Sequence, residues 1–512
     1  MQSRRPTQEE ADEQHFGISV VGRYFRQSIH LQTFTTDVKQ QIDELDDHRP
    51  YFTYWATFVQ TVIFVVSVAV YGIAPFGFGV HYDSKTISLS NMAREQRTRG
   101  EKANIWVGPR QADLIHLGAK YSPCMRVDAQ IQAAIQRDLV EENTTACCVR
   151  NDGSGCVQRV QSQCKILSTW KKWGRNDSKL VAPDGRTSGT VCGQDPSYCI
   201  RPASAEPFAW PDSIIDWPLC EKTKRPNHSV TSGRDRHMSC EIVGRPCCHG
   251  IQGECTITTL EHCDLLRGFF HPEAYLCAQV NCFEQICGMI PFAVEKRPDQ
   301  FYRLWTSLFL HGGLFHLAVT IVFQMLIMRD MEKLTGAIRM AIIYIGSGIA
   351  GNLASCTFLP YQVEAGPSGS QFGVLACLLV EVLQSYQMYK RPHIAILKLV
   401  GPICALFVLG LLPWFDNWAH LFGFFWGFLL AFSVMPYVSF GTFDRHRKIV
   451  TIVVALGAAI GLFIILVIIF YVAPLTECAA CSYFTCVPFT AGLCDDSHVN
   501  LKSRQTYSAF YN

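Results

Sequence analysis

Charge is scarce in this chain: Asp, Glu, Lys and Arg make up 17% of 512 residues, with 45 basic groups against 43 acidic ones. A balance so near neutral excludes the broad basic field with which proteins attract nucleic-acid backbones. Cysteine is missing before Cys124. The polar, acidic segment ahead of the first apolar run lacks both the basic n-region and the small-residue cleavage site of a signal peptide. That run is therefore read as an uncleaved anchor rather than a leader that is removed. The block between the first and second apolar runs holds no internal repeat and no long helical period.

What is present is concentrated. Apolar residues form 49% of the chain and gather into long blocks, mostly after residue 300, while sixteen of 23 cysteines fall between Cys124 and Cys287. Together they imply a membrane protein with an oxidised domain outside the bilayer. Seven blocks qualify as spans. The first, Phe52–Gly72, is free of charge over about twenty residues, the length a bilayer core requires. The others lie near Leu314–Met328, Ile338–Leu359, Ser368–Met388, Ile394–Leu412, Trp418–Pro436 and Ile449–Val472.

Short loops set the orientation. Arg329, Lys333 and Arg339 separate spans two and three, Lys390 and Arg391 separate four and five, and Arg445, Arg447 and Lys448 separate six and seven. The intervening loops, LPYQVEAG and LLPWFD, contain no Lys or Arg. The positive-inside rule then places the N-terminus in the cytosol and the C-terminus in the lumen. All three N-x-[ST] sequons, at Asn143, Asn176 and Asn227, fall in the long loop assigned to the lumen. So do sixteen cysteines, and Cys478, Cys481, Cys486 and Cys494 in the tail bring the lumenal number to twenty. An even set in an oxidising compartment reads as disulfides, with CAAC (Cys478–Cys481) a bridge before it is a zinc site; sequence leaves the pairing open. Cys356, Cys377 and Cys404 lie within spans and read as small apolar residues. The domains expected are a tail (1–51), an anchor helix (52–75), a cysteine-rich lumenal domain (76–299), a six-helix core (300–473) and a lumenal tail (474–512).

Polar groups inside spans are costly, which makes them candidates for function. His311 and His316 open span two, Ser368 opens span four in Gly-Pro-Ser-Gly, and His420 lies in span six, all toward the same side. Gly423 and Gly427, four apart, allow another helix to approach span six closely, which would bring His420 near Ser368. A serine and a histidine at matched depth can form a nucleophile–base pair. Ser368-x-x-Gln371 equally fits a capping box, with the serine satisfying the first N–H groups of its helix. Glu381 and Gln384 in span four read as groups facing neighbouring helices rather than as an ion site.

The runs YRLWTSLFLHGGLFH (Tyr302–His316), MEK (Met331–Lys333), GPSG (Gly366–Gly369) and AHLFGFFWG (Ala419–Gly427) resemble the rhomboid intramembrane serine proteases. RPYFTYW, WVGPRQADLIHLGAK, QDPSYC, GRPCC, PDQFYRLW, GNLAS, GPSGSQFG, LLPWFDN and FTCVPFT resemble the family's inactive-rhomboid subfamily, from about Arg49 to Cys494. The resemblance implies an α-helical membrane protein with a 1+6 rhomboid-like core of seven transmembrane helices and a cysteine-rich lumenal domain between helices one and two. It matches Ser368 to the nucleophile, His420 to the base, and His316 to the histidine that helps hold the oxyanion. Thr320 stands where active members have a second oxyanion donor, an asparagine, and Glu332 matches a glutamate that ties the cytosolic loop to span ends. Tyr302–Gly313 would form a re-entrant loop.

Ser368 departs from the inactive pattern, which has lost this serine. Pro367 and Thr320 depart from the active one, because proline has no N–H and a fixed φ, and threonine offers a shorter donor. The balance implies a pseudoprotease without cofactor or metal, with a Ser368/His420 endopeptidase as the alternative. What the resemblance implies of partners is the lipid bilayer and single-span clients: the ADAM-type metalloprotease that sheds tumour necrosis factor, and EGF-family ligands routed to degradation. The subfamily's long tail, which binds a FERM-domain protein, corresponds here to about fifty residues, as in a short isoform or a fragment. The endoplasmic reticulum membrane is the expected location, with the Golgi and plasma membrane as further stations.

Overall fold

The computed structural model describes residues 20–25, 35–43, 48–90, 93–164, 168–170, 189–202, 210–224, 236–475, 478–489 and 494. The chain divides into two compact units: a helical one of 1–79, 102–126 and 300–512, and a cysteine-rich one of 80–101 and 127–299. Residues 102–126 thus leave the expected lumenal block of 76–299 and pack with the helices.

Among the described residues of the helical unit, six helices are long and apolar enough to cross a membrane: Tyr51–Tyr71, Leu314–Thr335, Ala337–Phe358, Pro392–Leu409, Asn417–Val434 and Thr442–Val472. The expected fourth span is an apolar helix of 17 residues, Ser368–Gln384. These are numbered spans one to seven in chain order. Span two runs about two turns, at 3.6 residues each, past its expected end and takes in Arg329 and Lys333. Two apolar clusters hold the unit together. One joins spans two to six around Met328, Ile343, Tyr344, Val374 and Leu378; the other joins three, six and seven around Leu353, Trp426 and Phe470.

Span one is fixed by polar groups as well as by apolar contact. Its first N–H groups have no partner within the helix and carry partial positive charge. The buried Glu332 carboxylate accepts from Phe52 N at 2.8 Å, from Thr53 N at 2.7 Å and from the Thr53 hydroxyl at 2.5 Å. Midway along, Gln60 Nε2 donates to Tyr344 Oη and Leu308 O, and Gln324 Nε2 donates to Gln60 Oε1 and Tyr344 Oη. Gln324 begins a π-helical segment, Gln324–Met328, in span two. Such one-turn widenings rotate later side chains relative to earlier ones.

The cysteine-rich unit is built from short antiparallel ladders. Ala146–Arg150 pairs with Cys156–Arg159 and Ser168–Thr169, and Arg245–His249 pairs with Glu254–Thr258 and Phe269–Phe270. Successive side chains on a strand point to opposite faces, so adjacent cysteines find different partners. Cys147 bonds Cys192 while Cys148 bonds Cys164; Cys247 bonds Cys263 while Cys248 bonds Cys282. Further bonds join Cys156–Cys240, Cys199–Cys220, Cys255–Cys277, Cys478–Cys481 and Cys486–Cys494. All twenty cysteines assigned to disulfides are bonded, and Cys356, Cys377 and Cys404 are free. The Cys147, Cys156 and Cys192 sulfurs lie within 4.8 Å of one another but are oxidised, so they offer no thiolate to a metal.

One helix in this unit was not expected: Ala129–Glu142, capped by Asp128, which accepts from Gln130 N and Ile131 N at 3.0 Å each. Only Ile131, Ala134 and Glu142 bury along its length, too sparse a stripe to stand out in the sequence. The Glu142 carboxylate accepts from Cys277 N at 2.6 Å and Ala278 N at 2.8 Å. Burial nonetheless pushes it up, from 4.5 to about 7, against those two bonds and with help from Asp138. A raised carboxyl favours the fold below its unfolded value, and that contribution is lost as pH rises through the folded value. Hydrogen–deuterium exchange of the 129–142 segment in the full chain, corrected for intrinsic rate, is expected to slow between pH 7.5 and 5.5. Glu142→Gln should remove that difference; an equal difference in the variant would assign it elsewhere.

Candidate functional site

Three helices meet at the serine. A Cβ on Gly423 would lie 2.2 Å from Gly369 O, and one on Gly427 would lie 2.3 Å from Gly373 Cα. Spans four and six therefore touch backbone to backbone, as the Gly423/Gly427 spacing suggested. Span three joins them, since a Cβ on Gly351 would meet Ala419 O at 2.7 Å and one on Gly348 would meet Ser370 Oγ at 2.2 Å. Ser368 and His420 each flank a member of the contacting Gly369–Ala419 pair.

They are neighbours without being partners. No hydrogen bond joins Ser368 Oγ to His420, among the described residues. The His420 ring stacks on Phe372 at 4.2 Å and 14°, and its buried Nδ1 has no hydrogen-bond partner. The capping box is also not formed. The helix begins at Ser368 with Pro367 in the cap position, Gln371 N donates to Pro367 O at 2.9 Å, and no side chain caps the end. One residue inside the helix, the serine cannot fold back onto the N–H three residues ahead.

His316 reaches the same place from span two. Gly366, at φ +141°, leaves room for it: a Cβ there would lie 2.4 Å from His316 Cε1. Gly366 N donates to Ser307 O at 2.9 Å, and Asn352 Nδ2 from span three donates to Leu304 O and Ser307 Oγ at 2.9 Å each. His311 faces His316 with ring centroids 5.3 Å apart, and Thr320, one turn on, is fully buried with its Oγ1 unpartnered. Of the expected sequons, Asn143 is exposed at the end of its helix, where its Oδ1 accepts from Ile214 N at 3.1 Å. Asn176 and Asn227 lie outside the described residues.

Sequence reading missed a buried charge cluster beside this site. Lys120, 1% exposed, lies 2.9 Å from Asp416 and 3.0 Å from Glu364, and Ser355 Oγ donates to Asp416. Asp416 also caps span six through Ala419 N at 3.1 Å. It therefore holds the backbone one residue from His420. Burial would raise the Asp416 carboxyl, but Lys120 and Ser355 overcome it and hold the group below the usual carboxylate range. Burial together with the Asp416 charge holds Glu364 well above that range. The signal available was LIHLGAK, whose lone lysine in a mostly apolar run has no obvious surface to face.

Residues 298–437 match the rhomboid domain. Over 488 residues the chain is 47% identical to Inactive rhomboid protein 1 of Danio rerio, covering 95% of this chain and 56% of that protein. It is 47% identical over 482 residues to the Homo sapiens Inactive rhomboid protein 1, and 48% over 486 residues to the Homo sapiens Inactive rhomboid protein 2. Each of these covers 94% of this chain and 56% of the relative, so the chain spans just over half the length of the curated relatives it matches. With a rhomboid-domain match over residues 298–437 and relatives named for inactivity along nearly its whole length, the chain belongs to the rhomboid family.

Proposed function

We propose that this chain is a rhomboid-like pseudoprotease that binds single-span membrane clients without cutting them. The observation that carries this reading is the unconnected dyad. Ser368 sits behind a proline with no bond to His420, whose ring packs on Phe372. A serine hydroxyl needs a base to accept its proton. Thr320 replaces the family's carboxamide, and loss of one oxyanion donor costs on the order of 10²–10³ in rate elsewhere. Fluorophosphonate treatment of the detergent-solubilised protein is expected to leave Ser368 unlabelled. Labelling that disappears in Ser368→Ala would assign the chain to the intramembrane endopeptidases instead.

In this reading the clients are the metalloprotease and growth-factor precursors implied by the resemblance, gripped through their helices by the spans and through their ectodomains by the cysteine-rich unit. The N-terminus faces the cytosol, the cysteine-rich unit faces the lumen of the secretory pathway, and Asn143 carries glycan. Peptide-N-glycosidase F should therefore sharpen and speed the gel band, and Asn143→Gln should reduce the shift. An unglycosylated Asn143 in secretory membranes would count against this orientation.

A further inference from the structure

Above His316 lies a segment that the pseudoprotease reading does not use, Asn104–Pro109 within WVGPRQADLIHLGAK. It belongs to the helical unit although it follows the first hairpin of the cysteine-rich block. Span two begins at Leu314, and its opening N–H groups have no partner of their own in the helix. Leu314 N donates to Val107 O at 2.9 Å and Phe315 N donates to Trp106 O at 3.2 Å. Asn104 locks the segment down from both ends: its Nδ2 donates to Gly312 O at 2.7 Å and Pro109 O at 3.0 Å, and its Oδ1 accepts from Trp106 N at 2.9 Å. The Trp106 ring centroid lies 5.3 Å from that of His316, and the Phe415 ring meets the indole at 83° with centroids 5.7 Å apart.

Two details show that the fit is tight. A Cβ on Gly108 would lie 2.4 Å from Gly312 O, and one on Gly313 would lie 2.1 Å from Trp106 O, so neither side tolerates a larger residue. Val107 adopts φ +58°, a conformation β-branched residues avoid. Backbone strain of this kind persists where surrounding contacts over-determine it. Here the contacts are those to Gly312, Leu314 and Phe315.

We infer that Asn104–Pro109 is an intramolecular plug, lodged against the start of span two with Trp106 over His316, where an extended peptide would have to lie. It is a second barrier to catalysis, independent of Pro367: the donors and the histidine face that an incoming carbonyl would meet are already covered by the chain's own backbone and indole. The meaning of the covered site rests on the pseudoprotease reading, but the plug itself does not, and its test requires no catalysis.

The test places a thiol beneath the indole. In a Cys404→Ser background, where the remaining free cysteines are buried, His316→Cys is treated with N-ethylmaleimide in detergent and followed by mass spectrometry of the full chain. With the plug intact, modification should be slow. Trp106→Ala should speed it about tenfold, equivalent to about 1.4 kcal/mol of lost local protection, and Trp106→Phe should retain the protection. Asn104→Ala, which keeps the indole but removes its anchor, should also accelerate modification and serves if Trp106→Ala exposes Cys356 or Cys377. Equal rates in the intact chain and in Asn104→Ala, with Cys356 and Cys377 still protected, overturn the plug. Fluorophosphonate labelling of the unaltered protein would sink the pseudoprotease reading and leave this result standing.

Discussion

Lys120→Met is expected to destabilise the helical unit by about 3–5 kcal/mol, the usual cost of removing one partner from a buried ion pair. The lysine is 1% exposed and sits between Asp416, which is fully buried, and Glu364. Methionine fills much the same volume, so the loss is electrostatic. It leaves the Asp416 carboxylate with Ser355 and the Ala419 N–H but no cation. The thermal midpoint in detergent should fall sharply, and Lys120→Met with Asp416→Asn should recover most of it. Asparagine keeps the oxygen that caps span six and removes the charge. A single variant as stable as the parent, or a double variant no better than the single, would show that the cluster contributes little. Because Asp416 begins span six, loosening it should also weaken the placement of His420.

Gly423→Val carries the second large effect. Its new Cβ would lie 2.2 Å from Gly369 O and 2.8 Å from Gly369 Cα, and these are backbone atoms with no rotamer to yield. Overpacking against movable side chains costs about 1–3 kcal/mol; here spans four and six must separate along their length, so more is expected. The measurement is maleimide modification of Cys377, buried on span four, together with the yield of monodisperse protein. Gly461→Val in span seven is the control, because a Cβ there meets nothing within 4 Å. Faster Cys377 modification in both variants, or in neither, would refute the close crossing.

That pair of glycines also marks how far sequence reasoning reached. Gly423 and Gly427 lie four apart in span six, and Gly457 and Gly461 lie four apart in span seven. The first pair meets the backbone of span four, while the second faces open space. Spacing states that a helix could approach closely; only the other helix's position states whether one does. The capping box failed for a related reason. Ser-x-x-Gln was present, but the turn through Gly366 and Pro367 started the helix one residue early.

The sequence by itself determined the class, the six helices long and apolar enough to cross a membrane and the oxidised cysteine set. These follow from hydropathy, parity and order along the chain, all of which are local properties or sums over them. Tertiary structure alone decided the disulfide pairing, the Lys120–Asp416–Glu364 cluster and the seating of Trp106 on His316. The last two join residues far apart in the chain, by 296 positions for Lys120 and Asp416, and several of the disulfides do the same, by 84 positions for Cys156 and Cys240. A buried charge is tolerable only when its partner arrives from elsewhere in the fold, and no window of sequence around Lys120 contains Asp416.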